Sequence, residues 1–544
     1  MQTPITPFES IGLCFSGGGY RATFFSLGVV SYLNKISYQG ESLLSHVEAV
    51  SSVSGGSLLA VAYAKAVQEE NFDFNAFYKA FYQNFVPDKD KLVEHAVAKL
   101  ESAEVWAKHP YKKPSLINAF ALTYADMPIF KGEFGMFKKS TSPSLKHVCF
   151  NATEFSYGKA FRFQNVGVFG NGNLRCAEMN QVSAKVQLAD IVASSSCFPI
   201  GFEPLVFPDD YIRDQKDPHY KALKRLPDFC HGVGVMDGGI VDNQGIGSMV
   251  NISNSKQRQK PLDLIIVNDV GSSDMQPWQA ESTKDTTKMS IKEKAKSLLK
   301  YVRVHWLYWS VLLAGILIML INSLELIKGR EWASLYVVGG VFTGVGLSFT
   351  LIGAIAGHVK NDIVRKLKAV FRKNVPESLL DEVKSFQRLD IDLVKRMMIE
   401  RATSGAKMIN NVFLKQIRYL NYELLYSSDA LKNRRISSVI GELNGEKKNN
   451  EEISTPKKQL KTVAMIASEA PTTLWWSEED IKLDRMNSLI ACGQFTTCYN
   501  LMKYILELKK SGIEGEGLDE MYKALKKDWT AFNKDPLFMV DTTE

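Results

Sequence analysis

Two glycine-rich turns constrain the first sixty residues. Ser16-Gly17-Gly18-Gly19-Tyr20-Arg21 and Ser52-Val53-Ser54-Gly55-Gly56 each fall where a short apolar run gives way to a helical pattern. His46 to Val53 reads as a buried strand and Leu58 to Val67 as a helix, so Ser54 falls on the sharp bend of a nucleophile elbow. Such a bend is strained and needs small neighbours, and the following helix start supplies N–H groups for developing negative charge. The usual pattern is G-x-S-x-G; its first position here is Ser52, which is small but carries a side chain.

In the first turn, Gly12 to Phe15 reads as a strand and Arg21 to Asn34 as a helix. Three consecutive glycines between them let several backbone N–H groups converge on one point, as an oxyanion hole requires. A nucleotide phosphate loop is the alternative, but no Lys-Ser/Thr follows the glycines and the spacing G-x-G-x-x-G is absent.

A serine nucleophile needs a base. Val233 to Met236 reads as a buried strand ending in Asp237-Gly238-Gly239, with Asp242-Asn243 shortly after. A carboxylate at such a strand end faces a crevice shared with other strand ends, where Asp237 can take the Ser54 proton directly or through water. The alternative is a turn aspartate that caps its own loop. Of the eight histidines, His231 is nearest Asp237, and only His305 and His358 follow it, both flanking apolar runs. Neither suits a late-loop catalytic base. His231 beside Cys230 lacks further residues at ligand spacing, so no metal or other cofactor is expected.

Gly17-Gly18-Gly19-Tyr20-Arg21, the Ser54 elbow and Asp237-Gly238-Gly239, in this order, resemble the motifs of the patatin-like phospholipases. Ser194-Ser195-Ser196-Cys197-Phe198-Pro199-Ile200-Gly201-Phe202-Glu203-Pro204 is similar to that family's A-S-x-x-x-P-x-x-F-x-P segment, with Ser194 in place of alanine. The resemblance covers about residues 10–275. It implies a three-layer α/β core with a central, mostly parallel sheet, hydrolysing lipid acyl esters. By position, Ser54 becomes the nucleophile, Asp237 the base, and Gly17, Gly18 and Gly19 the oxyanion loop, with Arg21, Gly56, Gly238 and Gly239 as supporting motif residues.

At 544 residues and 45% hydrophobic content, the chain has room for more than this core. Its seven scattered cysteines suggest a reducing compartment. Met1 to Ser10 is polar, with no basic-then-apolar signal pattern, so export is not expected. Trp306 to Leu324 and Trp332 to Gly357 carry no charge, and each has the residue count for a hydrocarbon core of about 30 Å. Gly339, Gly340, Gly344 and Gly346 suit close helix packing, and Trp306, Trp309, Trp332 and Tyr336 an interfacial belt.

Six basic residues precede the first run (Lys288 to Arg303) and six follow the second (Lys360 to Lys373), against Lys328 and Arg330 between them. The expectation is therefore a two-span hairpin with both flanking parts cytoplasmic, in a bacterial inner membrane. The basic flanks, which supply much of the net charge of +7, suit anionic lipid rather than nucleic acid.

The expected organisation is a core over 1–275, a basic juxtamembrane segment over 276–305, a transmembrane hairpin over 306–357 and a helical region over 358–444. A polar linker over 445–461 then leads to a helical region over 462–544 that packs on the core, with Ser477 and Asp480 as a helix start. Phe72 to Phe137 is dense in aromatic residues, which suits either a helical core or an acyl-chain tunnel. The expected activity is acyl ester hydrolysis on a membrane phospholipid or lysophospholipid, with the bilayer held through 306–357. Homo-oligomerisation is left open, and the alternatives are a lipid transacylase and a silent membrane scaffold or lipid sensor.

Overall fold

Ile11–Phe15 is a fully buried strand, β1, that leads directly into the first glycine turn. The structure, a computed structural model, describes residues 5–87, 91–139, 145–199, 201–255, 258, 260–271, 306–324, 332–345, 347, 391–445 and 452–540. It divides into two units, one of Met1–Gln276 with Lys407–Glu544 and one of Pro277–Ala406.

The first unit is built on one eight-stranded sheet. Its further strands are β2 (Val47–Val53), β3 (His147–Glu154), β4 (Lys159–Gln164), β5 (Leu205–Phe207), β6 (Val233–Asp237), β7 (Leu264–Asp269) and β8 (Arg435–Val439). The order is β8-β7-β1-β2-β3-β6-β5, with β4 also on β3. Strands β8, β7, β1, β2 and β3 run parallel, while β4 and β6 lie antiparallel to β3, and β5 antiparallel to β6.

Central strands of a parallel sheet are covered on both faces and read as continuous apolar runs. Alternation along β1 shows the two covers. Leu13 and Phe15 join the cluster that includes the helices α1 (Gly19–Lys35) and α2 (Gly55–Ala66). Cys14 joins a second cluster with Ile246, Met249 and Leu425. This is the expected α/β core with a central, mostly parallel sheet. The aromatic stretch packs into the first cluster through Phe77, Phe81 and Phe85 of the helix Phe74–Phe85.

The remaining helices used below are α3 (Leu188–Ser195), α4 (Leu414–Tyr426), α5 (Lys458–Ser468), α6 (Arg485–Lys510) and α7 (Glu516–Lys534). Strand β8 lies in the stretch read from sequence as helical. Its Ile436 and Ser438 are buried while Arg435, Ser437 and Val439 are half-buried, and it extends the parallel sheet at the outer edge of β7. Helix α6 crosses α1 closely. A Cβ on Gly28 would lie 2.0 Å from the Ile490 carbonyl oxygen, and one on Gly493 2.0 Å from that of Phe25. Ser477 and Asp480 form the expected capping box before the short helix Glu478–Lys482.

The transmembrane expectation is corrected. Among the described residues no helix is long and apolar enough to cross a membrane. Trp306–Ser323 is helical over 18 residues, which at the α-helical rise is about 27 Å, short of a core of roughly 30 Å. In the second run, helix is described over 333–345 and at 347. A charge-free run sets only an upper bound on the length of a span. The two-span hairpin and the inner-membrane placement with cytoplasmic flanks fall with this finding.

The two apolar runs do pair. Positions for a Cβ on Gly315 and on Gly339 lie 2.8 and 3.0 Å from each other's carbonyl oxygens, and Asn322 exchanges hydrogen bonds with the Trp332 backbone at 3.0 and 2.9 Å. The expected basic segments at 288–303 and 360–373 and the helix expected at Ser378 to Phe386 lie outside the described residues.

Candidate active site

The edge of β3 organises the site. Strand β4 occupies one edge from Cys149 to Glu154. Because a strand has only two edges, β2 and β6 must share the other: β2 pairs there up to Val53↔Asn151, and β6 begins its pairing at Asp237↔Ala152. One runs parallel to β3 and the other antiparallel, so their C-terminal ends meet. Ser54 follows the first end and Asp237 closes the second.

Ser54 has φ 50° and ψ −126°, a conformation rare for a residue with a Cβ, and α2 begins at the next residue. Several serines brace this bend. The Ser54 N–H donates to Ser195 Oγ at 2.9 Å, and the Ser195 hydroxyl donates to the Asn151 carbonyl at 2.6 Å. Ser57 Oγ lies 2.8 Å from both Ser195 Oγ and Ser52 Oγ. Ser52 is fully buried, so the side chain that departs from the glycine of the usual elbow is a partner in this hydroxyl network.

Asp237 is buried, and its Oδ1 accepts from the Gly239 N–H at 2.7 Å. Burial pushes its carboxyl up to about 6, with the Ser54 side chain and the Gly239 N–H acting against the rise. The Asp237 N–H donates to the Cys197 carbonyl at 3.0 Å and the Gly238 N–H to that of Ser195 at 3.4 Å. The Ser194–Pro204 motif thus buttresses both the elbow and the aspartate turn, through α3 and the residues that follow it.

The glycine loop lies against the elbow. A Cβ on Gly55 would fall 2.0 Å from the Gly19 carbonyl oxygen, so the starts of α1 and α2 can only approach this closely with glycine there. The four amides of the loop divide into two kinds. That of Gly17 donates to the Asn243 carbonyl and that of Tyr20 to the Thr473 carbonyl, both at 2.8 Å. Among the described residues, those of Gly18 and Gly19, with φ 142° and 54°, donate to no protein carbonyl outside regular helix and strand bonding.

Asn243, Arg418 and the segment around Thr473 carry no motif and were missed as site residues in the sequence. The Asn243 side chain lies 2.5 Å from where a Gly17 Cβ would be and 2.9 Å from the corresponding point on Gly239. With its amide oxygen turned towards α4, it accepts from Arg418 Nε at 2.9 Å and Nη2 at 3.2 Å. Arg418 also pairs with Asp269, at the end of β7, at 3.2 Å. Asp242 caps the next helix, accepting from the N–H of Ile246 at 3.0 Å and of Ser248 at 3.3 Å.

A cavity of about 580 Å³ opens beside the turn after Asp237. Thr153, Glu154, Phe155, Gly158, Ile240, Val241 and Ile417 line it. Glu154 is fully buried, and its carboxylate accepts from the backbone N–H groups of Ser156 and Tyr157 and from Asn171.

A strained serine bend, a buried aspartate and a triple-glycine turn thus lie together at the ends of β1, β2 and β6. Residues 13–250, somewhat under half of the chain, match the model of the patatin-like phospholipase family, a family of lipid acyl hydrolases. No curated protein matches the chain.

Proposed function

We propose that the chain hydrolyses acyl esters of phospholipids or lysophospholipids with Ser54 as nucleophile and Asp237 as general base. The observation that carries this reading is the meeting of the C-terminal ends of β2 and β6, which brings the strained Ser54 bend beside the buried carboxyl of Asp237. Asp237 takes the hydroxyl proton as Ser54 Oγ attacks the acyl carbonyl. The amides of Gly18 and Gly19 hold the oxyanion that develops. Those two are assigned rather than all three glycines because the Gly17 amide is occupied by Asn243.

Collapse of the tetrahedral intermediate expels the alcohol, which takes the proton back from Asp237. Water, deprotonated by the same carboxylate, then attacks the acyl-Ser54 ester; the bond to Ser54 Oγ breaks, Oγ takes the proton back from Asp237, and the fatty acid leaves. Ser52 gives no support to a silent scaffold, since its side chain is accommodated in the elbow network.

Fatty-acid release from mixed phospholipid vesicles by the full chain tests the reading. Ser54→Ala and Asp237→Asn are each expected to lower release by roughly four orders of magnitude or to background, with circular dichroism unchanged. Undiminished release by folded Ser54→Ala would overturn the nucleophile assignment, and by Asp237→Asn the base assignment.

A further inference from the structure

The start of α1 is held by a piece of chain more than four hundred residues away. Between α5 and the capping box at Ser477, the segment 469–476 has no helix or strand and passes over the glycine loop. The Tyr20 N–H, one of the orphan donors of a helix first turn, is taken by the Thr473 carbonyl at 2.8 Å. A Cβ on Gly19 would lie 2.3 Å from the carbonyl oxygens of both Thr472 and Thr473. Backbone therefore lies directly on backbone, and only glycine fits.

Two side chains fasten this contact. Arg21 Nη1 donates to the Ala470 carbonyl at 3.1 Å and to the Ser468 carbonyl at 3.3 Å. Its guanidinium is lowered to about 10 by burial and the nearby Arg418, against the favourable charge of Asp269, and it stays a cation at neutral pH. At the far end, the Trp476 ring packs 5.1 Å from Tyr20 and 5.2 Å from Phe24 between ring centroids, and its indole N–H donates to the Phe85 carbonyl at 2.9 Å.

We propose that the segment 469–476 is a positioning element of the glycine loop, fastened by Arg21 and Trp476, which holds the Gly18 and Gly19 amides in their catalytic arrangement. The segment consumes the Tyr20 amide and fills the Cα side of Gly19, so the loop has one conformation in which its two middle amides are left over. Released, three consecutive glycines would spread over many conformations, each with the amides elsewhere. This rests on the assignment of those amides to the oxyanion, and it extends the site beyond the matched residues 13–250.

The test compares the full-length parent with Trp476→Ala, Trp476→Phe and Arg21→Met, in steady-state hydrolysis of p-nitrophenyl butyrate and in amide hydrogen exchange of peptides covering residues 17–24. Arg21→Met keeps the aliphatic stem, and serves alone should Trp476→Ala fail to fold. The expected result is a kcat lowered roughly 10- to 100-fold in Trp476→Ala and Arg21→Met with KM within about twofold. Trp476→Phe recovers most of the loss. Exchange over 17–24 rises in the two damaging variants while that of β2 and β6 does not.

Unchanged exchange over 17–24 in both variants overturns the proposal, as does an unchanged or raised kcat. A parent without Ser54-dependent hydrolysis would instead remove the nucleophile reading. The exchange measurement would still decide whether the segment holds the loop.

Discussion

Ser54 keeps a backbone conformation that costs about 1–3 kcal/mol because its neighbours leave it no other: the Ser195 hydroxyl takes its N–H, and Gly55 and Gly19 meet beneath it. The same crowding deprives Asp237 of solvent and raises its carboxyl to about 6. If Asp237 is the base, only its ionised form is competent. Activity is then present above this value and lost as pH falls through it. The kcat/KM profile for a neutral ester should therefore show an acid limb near pH 6 that disappears in Asp237→Asn. A parent limb near pH 4, the range of a solvated carboxylate, would contradict that role. At this scale the placement of Ser54 and Asp237 at adjoining strand ends was legible, because apolar runs that stop at glycine, serine and aspartate mark where strands turn. Asn243 was not, since it acts through a contact with Gly17 and a bond to Arg418 that only folding creates.

Helices α1 and α6 cross where Gly28 and Gly493 remove both side chains, and each would-be Cβ meets a backbone carbonyl rather than a side chain able to swing away. Overpacking against backbone has no relief except separation of the helices. Gly493→Leu is therefore expected to destabilise by about 3 kcal/mol or more, with Gly493→Ala intermediate. Thermal unfolding reads this directly, and an unchanged midpoint for Gly493→Leu would mean that the crossing is looser than described. Legibility was uneven among elements. β1, β2 and β6 announce themselves as apolar runs before glycine turns. β8 has only Ile436 as an inward apolar residue, with Ser438 as the other inward position, and its alternation is masked. The charge-free runs at 306–324 and 332–357 were correctly apolar, and their helices do pair, but apolar content does not determine how far a regular helix extends.

The first unit is assembled from both ends of the chain. β8 covers the edge of β7, α4 supplies Arg418, and α6 closes over α1, all from residues beyond 407. A chain ended after Gln276 would leave an unpaired parallel edge and a bare apolar helix face. Such a fragment is expected to show no cooperative thermal unfolding and to aggregate on expression. A soluble, cooperatively melting fragment would show that the matched domain stands alone. The long-range closure of α6 on α1 also dictates an order of events at the ribosome. At translation rates of about 5–20 residues per second, on the order of a minute separates the emergence of α1 from that of the helix that covers it. In the later part of that interval Ser54 and Asp237 have both emerged while the segment at 469–476 has not, so under the proposed positioning role the glycine loop is the last part of the site to be set.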